Sequence, residues 1–384
     1  MAVRHRADRA PSILSVPWDR IHRFRLRRHH LVARAPREDL PRVVSDIAGV
    51  QAQMLPFARL ALWARVRRLR SEDVDRALWT DRTLVRTWAM RGTLHLLRSE
   101  DLPVYVAGLS RALVRHTDRY LGRRGLTPEE ARVFTDAVLE GLEQGPLSRR
   151  DLADRIVASH GGRARSWIEH AWGGIVGRAC LAGEVCFGPN AGPTITFVRR
   201  DRWLRSWREV TEDEGRTQVL GAYLRAYGPA TDLDLAAWSG LSAKDFDDAR
   251  DRLGQDLVAV DLDGNRAWLL REDRSAVSSE ERSRPVVRLL PNFDAYLLGH
   301  RQKSHLVDEA HYKRVYRKAG WISAVLLVDG RVAGVWSHEQ KGERLRVRVE
   351  AFRRPSRVVR VRAEEEASDL GRFLDAGDVR VAFT

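Results

Sequence analysis

The sequence predicts an α+β protein, mainly helical, and three observations carry that expectation. The first is an internal repeat. Gly145-Pro146-Leu147-Ser148-Arg149-Arg150-Asp151-Leu152-Ala153 matches Gly228-Pro229-Ala230-Thr231-Asp232-Leu233-Asp234-Leu235-Ala236, both reading G-P-x-[ST]-x-x-D-L-A. The second is its setting: in each copy a helical stretch precedes the motif, and a second helix and a β-rich stretch with a turn follow it. The third is a change of character beyond Ser275, where strand-like runs replace helical periodicity. Helix, capped helix, helix and hairpin in that order make a winged helix-turn-helix module.

Residues 1–17 hold Arg, His and two prolines without periodicity and read as a mobile arm. From Trp18 to about Leu69 the pattern is helical, with Leu40, Val43, Val44 and Ile47 at helical spacing. Ser71 is placed to cap a further helix, with Glu72 and Asp73 favouring its N-terminus. Arg86 to Leu97 is rich in Thr, Trp and Leu around Gly92, which predicts the two strands of a short wing. The segment 18–125 therefore reads as a degenerate first module.

Residues 126–210 hold the first clear copy of the repeat, with a helix from Pro128 to Leu142 and a turn expected at Gly188-Pro189-Asn190. Residues 211–275 hold the second copy, with a helix from Arg216 to Ala226 and a hairpin turning at Asp263-Gly264-Asn265. In both copies the hydroxyl residue caps the following helix and Asp151 or Asp234 closes a capping box. Ser278 to Ser283 resembles a linker. Residues 276–384 then form a C-terminal β-rich region, with strands at Pro285 to Leu290, Ala324 to Val328, Val332 to Trp336 and Leu345 to Glu350. Asp329-Gly330 joins the middle pair.

A chain of 384 residues has room for several domains and a sizeable core. Its net charge of +15 and pI near 10.6 point to a polyanionic partner, most simply nucleic acid. Of 67 basic residues only Lys244, Lys303, Lys313, Lys318 and Lys341 are lysines. Arginine suits phosphate because its planar fork binds bidentately, although such a skew also arises from genomic base composition. Two cysteines, Cys180 and Cys186, fit no common zinc spacing and suit a reducing interior. No stretch approaches the roughly 20 apolar residues of a membrane span, and the Arg-rich start lacks the apolar run of a secretory signal. The expectation is a cytoplasmic protein without a membrane anchor.

Gly49-Val50-Gln51-Ala52-Gln53-Met54-Leu55-Pro56-Phe57 contains the most distinctive chemistry. Two amides sit two residues apart in an apolar segment, where an uncompensated amide costs a few kcal/mol. In extended backbone residues i and i+2 share a face, and Pro56 disfavours helix at Leu55 and opens one after it. Gln51 and Gln53 thus lie at a junction between helices. Either they cap the helix ends there or they form a polar pair at the floor of a cleft. A carboxamide takes no proton near neutral pH, so it cannot be a strong general base. It can orient a water or meet a developing charge. That suffices where the leaving group departs easily, as a purine alkylated at N7 or N3 does, because it is already cationic.

Two further segments are candidates. Thr87 to Leu96 combines Trp88, Arg91 and His95 in one hairpin, either as a wing whose Trp88 packs inward and whose Arg91 touches phosphate, or as a group near a reacting nucleotide. Leu290 to Arg301 sets Asp294, Tyr296 and Arg301 among apolar residues, which suits a buried ion pair holding the C-terminal region on. No His, Cys, Asp or Glu set has metal spacing, no phosphate-binding glycine loop is present, and no cofactor or metal is expected.

Together, Gln51-Ala52-Gln53, the run R-T-W-A-M-R-G-T-L-H-L from Arg86 and the run L-L-P-N-F-D-A-Y-L-L-G-H-R ending at Arg301 resemble the AlkZ-like DNA glycosylases. The resemblance extends from about Trp18 to Glu339. It implies three tandem winged helix-turn-helix modules on a C-shaped scaffold with a basic concave face for DNA. It implies catalysis by Gln51 and Gln53, DNA contacts from Arg86, Arg91, His95 and Arg301, and support from Trp88, Asp294 and Tyr296. A related branch carries Q-x-D, so the Q-x-Q here places the chain with members linked to self-protection against DNA-alkylating antibiotics. His300 departs from the pattern, where Tyr is expected. The function implied is a monofunctional glycosylase releasing bulky N7- or N3-alkylated purines from double-stranded DNA, interstrand crosslinks included, as a monomer. The rival expectation is a winged-helix transcription regulator without catalysis, or a scaffold that binds damaged duplex and releases no base.

Overall fold

The computed structural model describes residues 13–170, 173–280 and 284–384. They form a mixed α+β fold containing three small sheets of three strands each and one five-stranded sheet.

Two of the small sheets follow one plan, in which a hairpin accepts a very short strand on its second strand, and the third has a single bridge at that place. In the first, Leu84–Trp88 and Leu94–Arg98 form the hairpin, and Val50–Gln51 pairs antiparallel with Leu94–Arg98. In the second, the hairpin is Val185–Ala191 with Thr194–Arg199, and Leu147–Ser148 joins the latter. In the third it is Leu257–Leu262 with Asn265–Leu270, and an antiparallel bridge between Ala230 and Trp268 stands at the matching place. Val50–Gln51 therefore occupies the position that the repeated motif occupies in the other two sheets.

Both capped helices begin at the expected hydroxyl, but the capping box closes only in the second copy: the Asp151 carboxylate accepts from the Ser148 hydroxyl at 2.6 Å instead of from its N–H. The Ser148 hydroxyl accepts from Asp151 N–H at 3.1 Å and starts Arg149–His160. The Thr231 hydroxyl accepts from Asp234 N–H at 3.2 Å, and the Asp234 carboxylate accepts back from Thr231 N–H at 3.0 Å, starting Asp232–Ser239. The helices ahead of the two motifs run Pro128–Gly141 and Glu212–Tyr227.

Several expectations are corrected. The second hairpin turns at Gly192-Pro193, not at Gly188-Pro189-Asn190. A register shift lies between Gly188 and Ala191, and the Thr196 hydroxyl donates to the Pro189 carbonyl at 2.7 Å, so the strand continues past the expected turn. Residues 1–12 of the expected arm and 281–283 of the expected linker lie outside the described residues. Leu14–Ser15, within the expected arm, instead forms a parallel strand on Leu257–Leu262. The helix Trp18–Arg28, expected in the first module, packs Ile21 and Phe24 against Val260, Leu262 and Leu269 of the third hairpin. Ser71 is the first residue of its helix rather than the cap, and Asp73 accepts from Arg70 N–H at 2.9 Å.

The five-stranded sheet runs Val287–Leu290, Val325–Val328, Arg331–Lys341, Arg344–Ala351, Asp378–Phe383. Its last strand is delivered in parallel by the helix Arg357–Phe373. Leu289, Leu326, Val347 and Leu370 share one apolar core with Leu40, Val44, Leu62 and Trp63. The C-terminal sheet is thereby fused to the elements around Gln51 and Gln53. Among the described residues, no helix is long and apolar enough to cross a membrane.

Candidate active site

Strand pairing sets the site. Gln51 stands directly opposite His95, and Arg86 opposite Leu96. Paired residues project to the same face of a sheet and successive ones to opposite faces. Gln51 and His95 are thus neighbours on one face, and Arg86 extends from the other. Gln51 is half-buried, Ala52 is buried, and Gln53 and Met54 are exposed before the helix Leu55–Trp63 begins.

Gln51 Oε1 accepts from Arg91 Nη2 at 3.0 Å. A guanidinium has only donors, so this contact fixes which end of the carboxamide faces it. Arg91 Nη1 also donates to the Trp238 carbonyl at 2.5 Å, tying the guanidinium to the helix Asp232–Ser239. Burial holds Arg91 down to about 10, so it remains a cation at neutral pH. His95 is 2% exposed, and burial with the adjacent Arg91 holds its imidazole down to about 3. It is neutral at pH 7. Its Nδ1–H donates to the Thr93 carbonyl at 3.0 Å, which leaves the Nε2 lone pair facing Arg91 Nη2 at 3.4 Å.

Gln53 Oε1 accepts from Leu94 N–H at 3.4 Å. The backbone between the two glutamines is clamped from both sides. Ala52 N–H donates to the Leu94 carbonyl at 2.7 Å. Arg86 donates through Nη2 to the Ala52 carbonyl at 2.9 Å and to the Gln53 carbonyl at 3.4 Å. Arg86 is 6% exposed, lies over the Phe187 ring and is held down to about 10 by burial.

Of the residues expected at the site, the structure brings together Gln51, Gln53, Arg86, Arg91 and His95. Arg86 and His95 are enclosed by protein and offer no surface to a duplex in this conformation. Trp88 packs inward on Phe187, with ring centroids 5.3 Å apart. Asp294 is elsewhere. It receives both Nη groups of Arg65, at 2.8 and 2.7 Å, with neither side chain exposed, and accepts from Tyr296 N–H at 2.9 Å. The expected buried ion pair exists, but its arginine is Arg65. Tyr296 is buried, and its hydroxyl donates to the Gly330 carbonyl at 3.3 Å. Arg301 is exposed and its N–H donates to Asp234 at 2.7 Å, at the start of the helix whose far end holds Arg91. His300 faces the Tyr227 carbonyl through Nε2 at 2.9 Å and is buried.

Sequence reasoning missed Trp238 and Gly240, because a carbonyl contact from a distant helix leaves no local pattern. Arg91 and Gly92 both adopt left-handed backbone, with φ of 58° and 64°. A non-glycine residue there is uncommon and marks a constrained position. A Cβ on Gly240, whose φ is +83°, would lie 2.7 Å from Arg91 Cα.

The family model described as "DNA glycosylase AlkZ-like" matches residues 44–373. An interstrand DNA cross-link repair glycosylase from Streptomyces sahachiroi is 34% identical over 334 residues, covering 84% of this chain and 88% of that protein. The solved structure of Streptomyces sahachiroi DNA glycosylase AlkZ superposes with a TM-score of 0.84 at 30% identity, covering 98% of this chain and 100% of that one.

Proposed function

The chain belongs to the AlkZ-like DNA glycosylase family, and from that premise we propose that Gln51 and Gln53 catalyse release of bulky N7- or N3-alkylated purines. It is a monofunctional DNA glycosylase. The substrates we assign are such purines in double-stranded DNA, including those within interstrand crosslinks. The role we assign is self-protection of a cell exposed to a DNA-alkylating natural product. The protein acts inside the cell as a monomer. Three winged helix-turn-helix modules, at 18–125, 126–210 and 211–275, grip the duplex on a basic concave face, with the helix Trp18–Arg28 of the first lent to the third and 276–384 completing the first.

The observation that carries this reading is the fixed carboxamide of Gln51 beside the exposed Gln53. Each carboxamide oxygen has two lone pairs, and each uses one on the protein. The second is free to accept from a water and to face positive charge. When the glycosidic bond of a cationic purine breaks, its electron pair goes to the base, which leaves neutral, and positive charge gathers on the sugar at C1′. Two oriented amide dipoles stabilise that charge without reorganising. The water they hold attacks C1′ and releases its proton to solvent. No general acid is required. Arg91, His95 and Arg86 act here by positioning the glutamine segment, and Arg301 is assigned to phosphate.

Gln53→Ala tests the assignment. Single-turnover excision from a duplex carrying N7-alkylguanine, read by alkaline cleavage at abasic sites, is expected to slow about 10²-fold or more. Duplex affinity should change little. Equal rates for variant and wild type would reject the catalytic role of the pair.

A further inference from the structure

A cavity of about 600 Å³ opens beside the helix that follows Gln53, and the reaction described above does not use it. Phe57, in the first turn of that helix, lines it with Trp321. Gln53 and Phe57 are four residues apart, so their Cα atoms are separated by about 14 Å at most. Phe57 and Trp321 stand in the cavity wall with Asn292, and Phe293 packs against both rings without lining it. The three centroids lie 5.1 to 6.1 Å apart, and Trp321 is edge-on to the other two. Trp321 is 39% exposed, an unusual state for so large an apolar ring. Phe293 is held at a φ of 58°, which a bulky residue rarely adopts. Such strain persists where surrounding structure fixes it and clusters at binding sites.

Lys313, Arg314 and Arg317 line the same cavity. Among the described residues, Arg314 pairs with Glu350 at 3.0 Å, and neither Lys313 nor Arg317 has an ion pair. An aromatic wall edged by free cations suits a planar group that arrives attached to a polyanion. A base-stacked duplex offers no free ring face. A purine carrying an aromatic substituent does, because the substituent projects from the stack beside the bond to be broken.

We propose that this cavity receives the aromatic body of the alkyl group on the damaged purine, stacked on Trp321, and so selects aryl adducts over small ones. The inference rests on the alkylpurine reading for its substrate class. The test uses duplexes carrying N7-methylguanine or N7-benzylguanine, with a 2′-fluoro sugar to prevent base loss during binding measurements. Wild type should bind the benzyl duplex roughly tenfold more tightly than the methyl duplex, the scale of one aromatic stack. Trp321→Ala should bring the ratio near one, and Trp321→Phe should retain most of it. Quenching of tryptophan fluorescence by the benzyl duplex should be lost in Trp321→Ala. A ratio near one in wild type, or a ratio that Trp321→Ala leaves intact, would overturn the assignment. So would equal quenching by an undamaged duplex with an unpaired base, which would make an unstacked base the occupant. Excision on the natural sugar is scored separately. Preferential binding without base release would sink the alkylpurine reading and leave the cavity assignment standing.

Discussion

The Arg91 guanidinium donates to the Gln51 carboxamide through one nitrogen and to the Trp238 carbonyl through the other. That double contact needs a planar fork, which lysine lacks. Arg91→Lys should therefore keep the charge and lose the geometry. Excision is expected to fall about tenfold or more, the lower end of what a misplaced catalytic group costs, with little change in duplex affinity. Were affinity and rate to fall together, with a shallower salt dependence of binding, Arg91 would be a phosphate contact instead. The Arg65–Asp294 pair has a different role. Both side chains are fully buried, so Asp294→Ala leaves an uncompensated cation and should destabilise by about 3–5 kcal/mol. Urea denaturation measures this, and a loss under about 1 kcal/mol would show that the site rehydrates. At this scale the sequence was partly legible. The two glutamines stood out because amides in an apolar segment require an explanation. Arg65 did not, because it meets Asp294 across 229 positions.

At the level of elements, local chemistry was readable where it repeats and obscure where packing decides. The paired motif located both caps, since a hydroxyl at the helix start satisfies the N–H three residues on in either setting. The helix Arg357–Phe373 went unread. It opens Arg-Val-Val-Arg-Val-Arg, a β-branched pattern, and buries mainly the small or charged residues Ala363, Glu366, Ala367 and Gly371. The turn at Gly192-Pro193 was hidden by an equally turn-like Gly-Pro-Asn just before it. One element contact joins the third small sheet's capped helix to the glutamines. Gly240 ends Asp232–Ser239 in left-handed backbone and lies against the Arg91 main chain. Gly240→Ala adds both backbone strain and a clash there. The expected result is destabilisation of about 1 kcal/mol or more together with a slower excision step in the protein that remains folded. An excision rate per folded molecule equal to wild type would mean that the helix end can shift without moving Arg91.

At the level of the whole molecule, charge and fold class were legible from composition and periodicity, but the sharing of cores was not. Val260 and Phe24 share one core, and Leu62 and Leu370 another, over separations that no sequence window spans. One consequence is a set of buried histidines where distant segments meet. Burial, with nearby cations, holds His22 and His95 down to about 3 and pushes His29, His300 and His305 well below the ordinary value near 6.5. Each is neutral in the folded protein and takes a proton near 6.5 once the chain unfolds. The folded value is the lower, so this contribution to stability is complete above about 6.5 and is lost as pH falls toward the folded values. Each group adds a slope of up to about 1.4 kcal/mol per pH unit. Asp101, Glu184 and Glu366 oppose it, because burial raises them and the folded state then holds their protons more tightly at low pH. Their window runs from their raised folded values down to about 4 and offsets part of the loss, but five histidines against three carboxyls leave stability falling with pH below 6.5. The thermal midpoint should therefore fall steeply between about pH 6.5 and 5, with folding restored on neutralisation. His22→Gln and His305→Gln should each flatten that slope, even if they lower the midpoint at pH 7.5. A midpoint constant down to pH 5 would mean that water reaches these rings in the native state.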